Sequence, residues 1–176
     1  MQKLIEISSK PPIISNREIV GFQQFDSRDR FQAMLDNLYH QTKNPLLIAV
    51  IGEIGNNSFD HNLGKWQDIS GVLFSGNDRA FLLADRGQGL RSSLSRVTSR
   101  ADTDLQAIEI AFTQKISGRS PENRGNGLKF VSTVAQENHW QIYFQSGLGI
   151  CQIKNGQISL SESTIFVYGC CAAIHI

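Results

Sequence analysis

Neither sign of charge dominates this sequence: 17 Lys and Arg stand against 16 Asp and Glu, a net charge of +1. A chain so balanced has no field to gather a polyanion, which sets nucleic-acid binding aside. Long apolar runs are also lacking. "NPLLIAVIG" and "IFVYGCCAAIHI" stand out, yet both fall short of the roughly 20 residues that a bilayer span takes. The N-terminus has no apolar signal core either, so neither export nor membrane insertion is indicated and a cytoplasmic location is expected. Cysteine is sparse, with three residues of which Cys170 and Cys171 are adjacent. The odd count and the missing paired spacing exclude a zinc site or a disulfide framework and suit small core residues in a reducing compartment. There is no Gly-x-x-x-x-Gly-Lys-Ser/Thr segment, which excludes a P-loop protein. "GQGLRS" misses a dinucleotide fingerprint, because its third glycine is replaced by Ser92 and no strand with a terminal acid follows. Repeats and low-complexity tracts are absent, and 176 residues make one domain with a sizeable core.

What is present alternates between helix and strand patterns. Residues 1 to 25 carry "KPPIISN" and short apolar runs, read as an edge strand and a turn within a poorly defined N-terminal segment. From Ser27, an N-cap, the residues Phe31, Met34, Leu35 and Leu38 follow the i, i+3, i+4, i+7 spacing of one helix face, ending near Gln41. Asn44-Pro45 then supplies a cap and a proline at the first helical position. This second helix runs through Val50, Ile51 and Ile54 into "GEIGNNSFDHN". Two strand-like runs, "SGVLFSG" and "RAFLLADRG", are separated by a Gly-Asn-Asp turn and place Asp85 at a strand end. Residues 91 to 126 are rich in Ser, Arg, Gly and Asn and read as a mobile lid. They contain one helix, introduced by a Thr103/Gln106 capping box. A short helix at 127 to 137 and three strands complete the chain.

The second helix is loaded with polar groups. Glu53 and Asn57 lie four apart on one face, with Asn56 and Asp60 beside them, where a core-facing helix would carry apolar side chains. A solvated face is the ordinary explanation of such a stripe. Two glycine segments argue for more. "DRGQG" sets a carboxylate beside Gly87 and Gly89, which let the backbone turn and a flat ligand approach. "RGNGL" puts glycines before a helix N-terminus, where free N–H groups favour phosphate.

In their order, these segments resemble the nucleotide-binding boxes of the GHKL superfamily, the group of gyrase, Hsp90, histidine kinases and mismatch-repair ATPases. "EIGNNSFDH" is similar to its N-box, "DRGQG" to its first glycine box and "GRSPENRGNGL" to its second, after the lid. "STIF" is similar to the strand that brings a threonine to the adenine. The resemblance spans about 28 to 168. It implies a two-layer α/β sandwich of the Bergerat type, a mostly antiparallel sheet with helices on one face, as a single domain over residues 1–176 with an ATP lid at about 91–126.

The resemblance also implies roles. Asn57 would coordinate Mg²⁺ through its amide oxygen, and Glu53 would orient or deprotonate the attacking water. Asp85 would accept from the adenine amino group, with Gly87 and Gly89 giving the base room. Gly125, Gly127 and the N–H of Leu128 would cradle phosphate, Arg124 or Arg119 would supply a counter-charge, and Thr164 would complete the adenine end. His61 is a minor candidate at the last N-box position. "HQTKNPL" has the His and Pro spacing of a phosphoacceptor helix, but Pro45 is better explained as a helix start, which leaves His40 without that role. A lone domain with Glu in the N-box most resembles small anti-sigma-factor-type serine kinases and stand-alone histidine-kinase-like domains. The expected ligands are ATP and Mg²⁺, and the expected partner is a small regulatory protein, with a homodimer left open. The function is then an ATP-dependent regulator, either a Ser/Thr kinase or ATPase or a nucleotide-dependent binder. A non-catalytic module in which ATP only orders the lid is the alternative.

Overall fold

The structure is a computed structural model that describes residues 1–10, 21–62, 64–114 and 127–176. Its elements run in the order α1 (Gln2–Ser9), β1 (Gln23–Phe25), α2 (Arg28–Thr42), α3 (Pro45–Asn62), β2 (Val72–Gly76), β3 (Ala80–Asp85), α4 (Gly89–Leu94), α5 (Asp104–Thr113), α6 (Gly127–Glu137), β4 (Gln141–Lys154) and β5 (Gln157–His175). The strands form one antiparallel sheet in the order β1-β2-β3-β5-β4. The expected α/β architecture with an antiparallel sheet is the one observed.

Local chemistry explains most boundaries. Asn44 Oδ1 accepts from Leu47 N at 3.0 Å and starts α3. Thr103 and Gln106 form the reciprocal capping box at the head of α5. Ser27 is the N-cap of α2, although its side chain makes no capping bond. Between β2 and β3, Asn77 Oδ1 accepts from Arg79 N and Ala80 N, so the side chain itself closes the turn.

The apolar sides of α2, α3, α5 and α6 meet one face of the sheet around Phe31, Ile51, Phe81, Ile108, Val131 and Phe144. The opposite face is covered by α1, whose Leu4 and Ile7 pack on Leu73, Ala84, Val167 and Cys171. Alternation along a strand permits this division: Leu83 turns to the first core and Ala84 to the second.

Three expectations need correction. The N-terminal segment contains an edge strand, β1, as expected, but it opens with the unexpected helix α1, and most of "KPPIISN" lies outside the described residues. Of its apolar residues only Leu4 and Ile7 are buried, and its C-terminal carbonyls are held by a distant arginine, described below. The last three strands are two. Asn155 and Gly156, with φ of 52° and 73°, make a tight hairpin turn inside the second of the three segments. β5 then runs on without interruption through register shifts around Gly147. Residues 91 to 114 do not form a loose lid. α4 and α5 bury Leu90, Leu94, Ile108, Ile110 and Phe112 in the main core. Asp104 anchors α5 to β4 by accepting from Leu148 N at 2.9 Å. The rest of the expected lid, 115 to 126, lies outside the described residues.

Candidate functional site

The site begins where β3 ends. Asp85 is 9% exposed and pairs across the sheet with Cys170 of β5. Its Oδ1 accepts from Gly87 N at 2.8 Å and from Asn62 Nδ2 at 3.2 Å. Burial pushes the Asp85 carboxyl up from the ordinary 3.8 to about 6, against the opposing effect of donors from Gly87, Asn62 and Cys170.

Asn62, the last residue of α3, completes this corner. Its Oδ1 accepts from Gln88 N at 3.0 Å. A Cβ on Gly87 would lie 2.0 Å from the Asn62 carboxamide, so the close approach of turn and helix requires glycine there. From the other side, Ser146 Oγ of β4 accepts from Leu90 N at 2.8 Å and donates to Gly169 O at 2.9 Å. The turn from Asp85 to Leu90 is thus held by a helix and by two strands.

Next to Asp85 is a cavity of about 20 Å³. Asn57, Asn62, Asp85, Gly89 and Leu128 reach it, together with apolar walls from Ile54, Leu90 and Phe144. Residues from "EIGNNSFDH", from "DRGQG" and from the start of α6 therefore converge on one point. Such a volume holds about one water molecule. On the far side of the glycine turn a cleft of about 580 Å³ is lined by Gly87, Gly89, Arg91, Asp104 and Tyr168. A roomier groove of about 880 Å³, between α2 and the β1 end of the sheet, contains none of the expected site residues. The small cavity carries the convergent polar groups and is the better candidate despite its size.

The other expected residues fall as follows. Glu53 is exposed, one turn before the half-buried Asn57, and its carboxylate lies against Gly127 at the start of α6. His61 lines the cavity, and burial lowers its pKa while Asp60 opposes the shift. Asp60 itself pairs with Arg28 of α2 at 2.5 Å. Asn56 Oδ1 is buried without a hydrogen-bond partner. His40 is exposed in the last turn of α2. Arg119, Arg124 and Gly125 lie outside the described residues.

Thr164 is not brought to the site. It is exposed on β5 and does not line the cavity beside Asp85. The strand neighbour of Asp85 is Cys170. The register shifts around Gly147 uncouple sequence distance from position beside Asp85.

Sequence reasoning missed four residues. Asn62 lies just beyond the N-box, Ser146 and Cys170 become neighbours only through strand register, and Arg86 reads as the variable position of "DRGQG". Arg86 is fully buried. Its guanidinium donates to both carboxylate oxygens of Asp68 at 2.9 Å and to Ile7 O and Ser8 O at the end of α1. It also lies over the Tyr168 ring at 5.4 Å.

For a metal ion, no cluster of three His, Cys, Asp or Glu occurs among the described residues. The donor set here, one amide oxygen from Asn57, suits only an ion that brings most of its ligands as water and phosphate, as Mg²⁺ does. No helix among the described residues is long and apolar enough to cross a membrane.

No protein-family model matches the sequence, and no curated protein matches it. Among solved structures, the fold is similar to the topoisomerase IV ATP-binding domain of Francisella tularensis in complex with a small-molecule inhibitor. The TM-score is 0.41 at 16% identity, covering 72% of this chain and 61% of that one. This chain thus spans less than two thirds of that domain. The site described above rests on its own geometry.

Proposed function

We propose that this protein binds Mg·ATP as a regulatory domain of the GHKL type. The observation that carries the reading is the convergence of Asn57, Asp85, Gly89 and Leu128 on one small cavity, from stretches of sequence far apart. Asp85 offers an acceptor to the amino group of adenine, whereas guanine would present a carbonyl to it. Ile54, Leu90 and Phe144 supply the apolar walls that a flat base packs against. Asn57 would hold the metal ion through its carboxamide oxygen; bound there, Mg²⁺ would neutralise phosphate charge. Glu53 stands one turn earlier on the same helix face, in reach of the backbone at the start of α6, and would orient a water or a hydroxyl of a partner. On this reading the partner is a small regulatory protein carrying a Ser or Thr acceptor.

A second reading, a binding module without turnover, is favoured by one feature. Glu53 already lies against the head of α6, where a phosphate would sit, so the carboxylate and the nucleotide compete for that place. Calorimetric titration with ATP and with GTP, each with Mg²⁺ and with EDTA, tests the binding claim. ATP is expected to bind more tightly than GTP, and Mg²⁺ to strengthen binding. Equal affinities would remove Asp85 from its role. Phosphate release or transfer in the presence of a partner separates the kinase from the module.

A further inference from the structure

We propose that Asn62 is a positioning residue of this site, fixing the Asp85 carboxylate and the glycine turn in the arrangement that presents Asp85 to a base. The inference rests on the ATP-binding reading above and deepens it.

Asn62 is 2% exposed and the groups around it admit one chemistry. Gln88 contributes a backbone N–H, which can only donate, so the atom facing it at 3.0 Å is the carboxamide oxygen. The nitrogen is then directed to Asp85 Oδ1 at 3.2 Å, an atom that as carboxylate can only accept. A single planar group thus meets a donor on one side and an acceptor on the other. Apolar residues satisfy neither, a carboxylate satisfies only Gln88, and the 2.0 Å approach to the Cβ position of Gly87 leaves no room for a longer side chain.

Asn62 is itself held. Ser58 Oγ lies 3.5 Å from Asn62 Nδ2, accepts from Trp66 Nε1 at 3.1 Å and donates to Gly71 O at 2.8 Å. A buried chain of polar groups therefore runs from Trp66 through Ser58 and Asn62 to Asp85, and each link fixes the next. Gly87 N and Cys170 also donate to the Asp85 carboxyl, while Asn62 joins it to the turn at Gln88 N. Arg86 turns away to Asp68 and α1, Arg91 of α4 faces the larger cleft, and His61 of α3 lines the cavity beside Asp85. Cys170 and Cys171 of β5 are thiols whose pKa burial raises, so they stay neutral.

The test is Asn62→Asp, which keeps shape and volume and replaces the donor aimed at Asp85 by an acceptor. At pH 8 both carboxyls are charged and repel, so the affinity for Mg·ATP should fall at least about tenfold while that for GTP changes little. Two facing carboxyls share one proton as the pH drops, and the shared proton restores a donor. At about pH 6.5 the ATP affinity of the variant should return to within about threefold of native. Asn62→Leu, which has no proton to share, should lose affinity at both pH values. Circular dichroism without nucleotide checks that each variant keeps the native fold.

Native-like ATP affinity of Asn62→Asp at both pH values overturns the inference, as does an equal loss at both. Should Asn62→Asp fail to fold, Ser58→Ala removes the oxygen behind Asn62 Nδ2. That variant should lose ATP affinity several-fold and spare GTP, and an unchanged affinity overturns the inference. A native protein that binds no ATP overturns the function itself, and the positioning role falls with it.

Discussion

At the scale of single residues, Asp85 carries opposing demands. Its folded pKa of about 6 lies above the ordinary 3.8, so the folded protein binds that proton more tightly than the unfolded chain does. A raised carboxyl contributes stability that is fully present below the unfolded pKa and is lost as pH rises through the folded one. The loss amounts to about 3 kcal/mol between about pH 4 and 6. Urea titrations across that range should show native stability falling with pH while the Asp85→Asn protein stays flatter. A parallel pH dependence in the two proteins would mean that another group titrates. The same substitution should weaken ATP binding by about 2 kcal/mol, because a charged acceptor is removed. Below about pH 6 the native protein should weaken in the same direction, as its own carboxyl gains a proton.

Asn57 and Glu53, a turn apart, should separate ground state from transition state. Asn57→Ala is expected to abolish the Mg²⁺ dependence of ATP binding. Glu53→Ala is expected to leave binding intact, or tighten it as a carboxylate leaves the head of α6, and to remove turnover. Titrations with Mg²⁺ and with EDTA, alongside phosphate release, make the comparison. Native behaviour of both variants would return this helix face to a solvated stripe.

At the scale of elements, helix-on-helix packing sets where the site can be. α3 lies close to α2 because Gly55 has no side chain: a Cβ there would stand 2.2 Å from the Phe31 ring, which is fully buried. Gly55→Ala should therefore destabilise by about 1–3 kcal/mol despite a better helix propensity, measurable by thermal or urea unfolding. A stabilised variant would show that Phe31 can move at little cost.

This scale also separates what the sequence reveals from what it hides. α2, α3, α5 and α6 were legible because cap chemistry and 3.6-residue spacing act within one turn, as at Asn44, Thr103 and the Phe31-Leu35 face. α1 was not, since Leu4 and Ile7 have meaning only against Ala84 and Cys171 on the far face of the sheet. The burial of α4 was likewise hidden, because the polar residues on its outer side suggest a loose segment until Leu90 and Leu94 find the core. Within the site, Asn57, Asp85, Gly87 and Gly89 could be picked out from local motifs. Asn62, Ser146 and Cys170 act through distant partners, and the position of Thr164 follows register shifts between β4 and β5 that are invisible to motif order.

At the scale of the molecule, the sheet separates two cores that meet at one turn. Asp85 faces the cavity, and its neighbour Arg86 passes to the opposite side to hold Asp68 and the end of α1. Removing one partner of this buried pair leaves an uncompensated charge. Asp68→Ala should cost about 3–5 kcal/mol and loosen α1 first, visible as faster hydrogen exchange in residues 2 to 9. Unchanged exchange there would show that Leu4 and Ile7 alone keep the helix in place.

Cys170 and Cys171 illustrate what this arrangement makes measurable. As consecutive residues of one strand they point to opposite sides, the first into the cavity beside Asp85 and the second under α1. The chain therefore carries its own pair of chemical clocks. The rate at which a small alkylating reagent labels the partly exposed Cys170 reports access from the cavity side, and the rate at the buried Cys171 reports how often α1 lifts. Cys151, fully buried in the main core, runs only when the whole molecule unfolds and so supplies the common zero. Saturating ATP should slow the first clock and leave Cys151 to set the baseline, while Asp68→Ala should quicken the second. Mass spectrometry of one digest would read all three.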